Sequence, residues 1–252
     1  MKFKSFVLSL GILMTFFSFE LMSQETSTHY LGRAYDMDSG ELVYSEEYLE
    51  SAIDGRPQEA TVTYFSPSGK VIAEKEIAFG KMLTSPDFLM TDMRDGYTEG
   101  VMSEGSQFKI IFKKDRDSTE VETHIEPSGP VVADAGFHYF ILENWETLLS
   151  GKTLTFNFIV PTIQEFLKFE IQKVENEKKE TQERIQFKTG VSNFLLKAFM
   201  NPILLTYDRR TRLLLQYEGL SNVNNDEGKS HNVRIRMEYQ GNSMSLGNLQ
   251  SR

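Results

Sequence analysis

From Tyr30 onward, short runs rich in aromatic and β-branched residues alternate with glycine- and proline-marked turns, the pattern of successive hairpins. Tyr30–Met37 and Glu41–Leu49 flank Asp38-Ser39-Gly40, and Ala60–Phe65 and Lys70–Phe79 flank Ser66-Pro67-Ser68-Gly69. A glycine closes each of these turns because it accepts positive φ without strain. Gln107–Lys113 and Thr119–Ile125 form a further pair around the charged turn Lys114-Asp115-Arg116-Asp117. The first half of the chain therefore reads as nearly pure β.

Glu126-Pro127-Ser128-Gly129-Pro130 suits neither a central strand nor a helix and marks a boundary between lobes. Beyond it Phe137, Phe140, Ile141, Trp145, Leu148 and Leu149 recur at helical spacing, with Asp134 as the expected N-cap and Ser150-Gly151 as the stop. His138 falls on the side of this helix expected to be exposed. Thr153–Val160 alternates, placing Leu154, Phe156, Phe158 and Val160 on one face, and Leu167–Val174 returns beside it. Glu175–Glu183 is a charge-dense connector, read as a solvated hairpin end. Arg184–Lys188, a short helical candidate at Ser192–Met200, then Ile203–Tyr207, Leu213–Tyr217 and Val233–Tyr239 complete the pattern, and the polar tail after Gly241 is expected to fray.

The sum is a mainly β (α+β) protein: a large curved antiparallel sheet or partly open barrel of ten or more strands, with one or two helices packed on one face. Residues 24–126 form a β-rich N-terminal lobe and 131–252 a helix-plus-sheet C-terminal lobe, read together as one continuous domain. A sheet of that size twists and curls, and a helix laid in its concave face is the setting in which apolar cavities arise.

The start of the chain has a different character. Met1-Lys2-Phe3-Lys4 precedes the apolar run Ser5–Phe19, 15 residues closed by Glu20. These are the regions of a secretory signal peptide spanning 1–23, cut after Ser23 with Leu21 at the −3 position. The run is short of the roughly 20 apolar residues a membrane anchor needs. No later run approaches that length, so the mature chain is expected to be soluble and to be periplasmic or secreted. The absence of cysteine removes disulfides, a lipid anchor on an N-terminal Cys, thiol catalysis and Cys-ligated zinc. The formal charge of −9 becomes −10 once Lys2, Lys4 and Glu20 are removed, which argues against nucleic acid as a partner.

The run from Asn201-Pro202-Ile203-Leu204-Leu205-Thr206-Tyr207-Asp208-Arg209-Arg210 through Thr211-Arg212-Leu213-Leu214-Leu215-Gln216-Tyr217-Glu218-Gly219-Leu220-Ser221-Asn222, with Ala135-Gly136-Phe137 and Trp145-x-x-Leu148-x-x-Gly151, resembles exported bacterial proteins grouped as domains of unknown function. The likeness rests on packing residues and turns. It implies a periplasmic curved-sheet protein without a settled activity, and it brings no catalytic residue with it.

Candidate chemistry is sparse. His29, His124, His138 and His231 show no metal-ligand spacing. Asp36-Met37-Asp38-Ser39-Gly40 and Asn222-x-Asn224-x-Asp226 resemble parts of a calcium loop but miss its glycine position, and both read as hairpin turns. Gly151-Lys152-Thr153 and Gly228-Lys229-Ser230 lack the upstream glycine of a phosphate loop, and the serine of Gly100-x-x-Ser103-x-Gly105 is misplaced for a nucleophile elbow. The acidic pairs Glu46-Glu47 and Asp115 with Asp117 read as solvated. No catalytic residue, metal ligand or cofactor is assigned. The function expected is a non-catalytic binding module for a hydrophobic, lipid-like small molecule or an envelope protein partner. Phe140, Trp145, Phe156 and Phe158 are its candidate apolar lining, and Arg209 and Arg210 a candidate fork for an acidic head group. The alternative is a periplasmic hydrolase assembled from separate strands, which requires His124, His138 or His231 to meet a carboxylate and a hydroxyl.

Overall fold

The computed structural model describes residues 24–174, 183–197 and 200–240; the segment expected to be a signal peptide, nearly all of the charged connector and the C-terminal tail lie outside them. Its strands are β1 (Glu25–Asp36), β2 (Leu42–Ile53), β3 (Arg56–Phe65), β4 (Val71–Ala78), β5 (Asp87–Asp92), β6 (Thr98–Glu104), β7 (Gln107–Lys113) and β8 (Val121–Ile125), then β9 (Val131–Val132), β10 (Leu154–Val160), β11 (Glu165–Lys173), β12 (Arg184–Val191), β13 (Ile203–Asp208), β14 (Leu214–Leu220) and β15 (Asn232–Tyr239). Between β9 and β10 lie α1 (Gly136–Glu143) and α2 (Trp145–Leu149), and α3 (Phe194–Lys197) follows β12.

All fifteen strands belong to one sheet in the order β8-β7-β6-β5-β4-β3-β2-β1-β15-β14-β13-β12-β11-β10-β9. Two meanders thus run outward from a shared β1–β15 ladder to the edges β8 and β9. Every pairing is antiparallel except β9 with β10. If this sheet were flat, its edges would stand roughly 65 Å apart at the usual strand spacing. Yet residues 126–130 alone carry the chain from one edge to the other, and a link of that length spans at most about 20 Å. The sheet must therefore curl until its edges nearly meet. The 3-10 turn Pro161–Ile163 closes the gap by packing on β6 and β7, and Gln164 Nε2 donates to the Val121 carbonyl of β8 at 3.4 Å. Among the described residues no ladder joins the two edges, so the barrel-like curl stays open.

α1 and α2 pack against the inward face of both meanders. Tyr139 of α1 donates to Glu50 of β2 at 2.6 Å, and its ring meets Phe79 edge-on at 5.1 Å. Phe140 packs on Phe156 of β10, while Trp145 of α2 meets Phe187 of β12 and Tyr207 of β13. α1 begins where the backbone crosses the β4–β5 link so closely that a Cβ on Gly136 would lie 2.0 Å from the Thr84 carbonyl oxygen. Only glycine fits there.

Three local expectations are corrected. The helix breaks at Asn144, whose backbone leaves helical geometry and whose side-chain amide donates to the Phe140 carbonyl at 2.9 Å. Asp134 does not cap α1; its backbone is left-handed (φ 40°) and its carboxylate turns inward to an ion pair. Of the helix expected over Ser192–Met200, α3 takes Phe194–Lys197, Ser192, Asn193 and Met200 are not helical, and 198–199 lie outside the described residues.

Candidate functional site

Side chains alternate across a strand, so β2 must send Tyr44, Glu46, Tyr48 and Glu50 to one face and Ser45, Glu47 and Leu49 to the other. The first set faces the interior and is buried. This overturns the expectation that Glu46-Glu47 is a solvated pair. Glu47 does face outward, where it meets His29 at 2.9 Å, but Glu46 is only 7% exposed. On β4 the same rule buries Lys75 between Ala73 and Ile77, and on β6 it buries Glu99 opposite Met90 of β5.

The inward positions form rows across the sheet. Tyr239, Tyr30, Tyr48, Val62, Lys75, Met90 and Glu99 are successive cross-strand neighbours. Beside them runs a second row of Met237, Gly32, Glu46, Tyr64 and Ala73. Tyr30 stacks on Tyr48 with ring centroids 4.7 Å apart.

Burying this many polar groups is costly unless each finds a partner. Lys75 Nζ pairs with Asp134 Oδ1 at 2.6 Å, and Asn222 donates to the same oxygen at 3.1 Å. Burial alone would lower the Lys75 pKa, but the negative charge and hydrogen bond of Asp134 outweigh it and keep the amine charged. Glu50 accepts from the Tyr48 and Tyr139 hydroxyls at 2.7 and 2.6 Å, and Glu99 accepts from Tyr97 at 2.7 Å. Burial raises both carboxyls, and the phenol donors offset part of that rise.

Glu46 differs from the others. Among the described residues nothing hydrogen-bonds or ion-pairs with its carboxylate, although Lys75 attracts it through space and Asp134 repels it. It lies over Gly32, where an added Cβ would come within 2.6 Å of Glu46 Cγ. Burial, partly offset by Lys75, pushes its carboxyl up to about 7.

A group raised in the fold stabilises in full below its unfolded pKa and loses that contribution as pH climbs through the folded value. Glu46→Gln removes this titration, while Glu50, Glu99 and His138 titrate in both proteins and cancel in the difference. Each pH unit that separates the folded from the unfolded value is worth about 1.4 kcal/mol, so the variant is expected to gain about 3 kcal/mol on the wild type between pH 4 and pH 9. Urea unfolding across that range measures it. A difference independent of pH would place the Glu46 carboxyl in water and contradict this account.

These groups line a cavity of about 430 Å³ inside the curl. Its apolar wall includes Phe137, Phe156, Phe158 and Phe169, and exposed lining residues at Thr162, Met200 and Asn201 carry it to the surface. His138 lines it too, correcting the expectation of an exposed histidine. Its ring stacks on Tyr207, Nδ1 lies 3.1 Å from the Tyr207 hydroxyl, and burial pushes its pKa down to about 4, so it is neutral near pH 7.

Of the candidate lining residues, Phe156 and Phe158 border the cavity. Phe140 and Trp145 sit in the core against Phe156 and Tyr207. Arg209 and Arg210 are exposed on the β13–β14 turn. That turn repeats a device found at two others: Asp36, Asp115 and Asp208 each accept from the backbone N–H two and three residues on, and from the hydroxyl of Ser39, Ser118 and Thr211. The pattern D-x-x-S/T is thus turn chemistry.

The remaining histidines form surface or rim contacts, His124 with Glu104 at 3.1 Å and His231 with Asp36 at 3.7 Å. None of the described histidines is hydrogen-bonded to a Ser or Thr hydroxyl, and no cluster of three or more metal-ligating side chains occurs among the described residues. The loop after β14 is held across the curl by Arg94, which pairs with Asp92 at 2.6 Å and Asp226 at 3.0 Å.

No protein-family model matches the chain, and no curated protein does. Among solved structures it is similar to a β-barrel-like protein of domain of unknown function DUF1849 from Brucella abortus, at 7% identity over 86% of this chain and 98% of that one, with a TM-score of 0.44.

Proposed function

We propose that this protein is an exported, non-catalytic binding module that holds a hydrophobic small molecule inside its curled sheet. The observation that carries the reading is the cavity of about 430 Å³, walled by phenylalanines and tyrosines and reaching the surface. That size lies in the usual range of small-molecule sites, roughly 300–1,000 Å³, and a mainly apolar wall with a few placed polar groups is their ordinary composition. Decanol added to the folded chain is expected to raise its melting temperature by mass action, about 2.7 kcal/mol of stabilisation at a hundred times its Kd. Calorimetry that detects no decanol binding would remove this reading.

Export draws support from the apolar run at Ser5–Phe19 and from where the fold begins. β1 starts at Glu25, and Gln24 exchanges hydrogen bonds with Asp54, so a cut after Ser23 would leave the sheet whole. Among the described residues no helix is long and apolar enough to cross a membrane. N-terminal sequencing of protein from its native source is expected to read Gln24 first. An intact Met1 in a membrane pellet would replace the signal by an anchor.

A further inference from the structure

Among the described residues, each buried charge in the cavity has its partner except Glu46. Four carboxylates, those of Glu46, Glu50, Glu99 and Asp134, share the space with one ammonium, that of Lys75. Lys75 is taken by Asp134, while Glu50 and Glu99 are taken by tyrosine hydroxyls. Glu46 is 93% buried, borders the cavity and has no hydrogen-bond partner among the described residues. It also stands among aromatic rings. Tyr64 is directly opposite on β3, and Tyr44 and Tyr48 flank it on the same face of β2. Directly opposed side chains on paired strands lie about 5 Å apart, within reach of one bound group. A carboxylate attracts a cation through its charge, and aromatic rings nearby add to that attraction; the Tyr64 ring already has the Lys75 ammonium 6.0 Å from its centroid. A carboxylate head group would instead meet excess negative charge and an amine already paired.

We infer that the polar end of the cavity takes an ammonium: the ligand is an amphiphile with a cationic amine head held by Glu46 among tyrosine rings, its apolar chain lying along Phe137, Phe156, Phe158 and Phe169. This rests on the cavity-binding reading proposed above and specifies its ligand class.

The test is isothermal titration of the folded chain at pH 8 with three ten-carbon probes below their micellar concentrations: decyltrimethylammonium, decanol and decanoate. The ammonium probe is expected to bind about tenfold more tightly than decanol, the equivalent of about 1.4 kcal/mol, with decanoate weakest. Glu46→Gln is expected to erase the preference for the ammonium probe over decanol. The wild-type series is informative even if that variant does not fold. Equal binding of all three probes, or a preference for decanoate, overturns the cationic head while leaving the cavity reading intact. A preference that survives in folded Glu46→Gln overturns the role of Glu46. If no probe binds, both readings fall.

Discussion

Replacing Lys75 by methionine is expected to cost about 3–5 kcal/mol at neutral pH, as removal of one member of a buried ion pair does. Methionine keeps the volume and flexibility of the lysine stem, so packing in the row Val62, Lys75, Met90 changes little. What is lost is the charge. Asp134 would be left with the Asn222 amide as its remaining hydrogen bond on a backbone already held at positive φ, and Glu46 would lose its attraction to the amine. The diagnostic comparison is the double variant Lys75→Met with Asp134→Asn. It removes both charges together and is expected to recover much of the loss, because a neutral pair of similar shape replaces a buried pair at little net cost. Urea unfolding of the two single variants and the double variant measures the coupling. Additive losses would show that the pair does not act as a unit.

The hairpins are legible in the sequence because their apolar residues alternate between strong turn signals. The pattern predicts β7 at its observed limits and the β4, β10–β11 and β13–β15 segments within three residues at each end, while β1 starts five residues before the expected Tyr30 and β2 and β3 each run four residues beyond one expected end. β5 and β6 are not legible, for a physical reason. Asp87–Asp92 and Thr98–Glu104 carry few β-branched or aromatic residues, and their inward set includes Glu99 and Asp92. They are strands because neighbours pair with them on both sides, which no local propensity records. Gly100 has the same origin, since a Cβ there would come within 2.7 Å of the Phe88 carbonyl oxygen on β5.

The site is hidden by a rule that holds at the wrong scale. Adjacent acids are usually solvated, yet on a strand neighbours face opposite ways, so one member of Glu46-Glu47 has to follow Tyr44 and Tyr48 inward. The alternation Tyr44-x-Glu46-x-Tyr48-x-Glu50 is the available signal. His138 departs from its expected exposure because α1 is enclosed on more than one side, so a position off the apolar stripe still meets Tyr207. The partnership of Lys75 with Asp134 spans 59 residues and depends on the curl. No spacing could reveal it.

Trp145→Ala is the second large effect, expected to cost about 3–5 kcal/mol through lost contacts and the void left behind. The indole is 1% exposed and is the only tryptophan in the chain. Phe187 and Tyr207 meet it edge-on, with ring centroids at 5.4 and 5.7 Å, and the Arg212 guanidinium lies 5.3 Å from its centroid. Arg212 is itself held by Glu146 at 3.1 Å, so this corner ties α2 to the β13–β14 turn. Truncation to alanine removes the contact that fixes one side of Tyr207, whose other face stacks on His138 at the cavity wall. The loss should therefore appear twice, as a lower urea midpoint and as weaker decanol binding in protein that remains folded. Trp145→Phe keeps an aromatic body against Phe187 and Tyr207 and is expected to lose less on both counts. A cost for Trp145→Ala below about 1 kcal/mol would mean that α2 is not anchored by this residue, since surface substitutions are the ones that stay near that size.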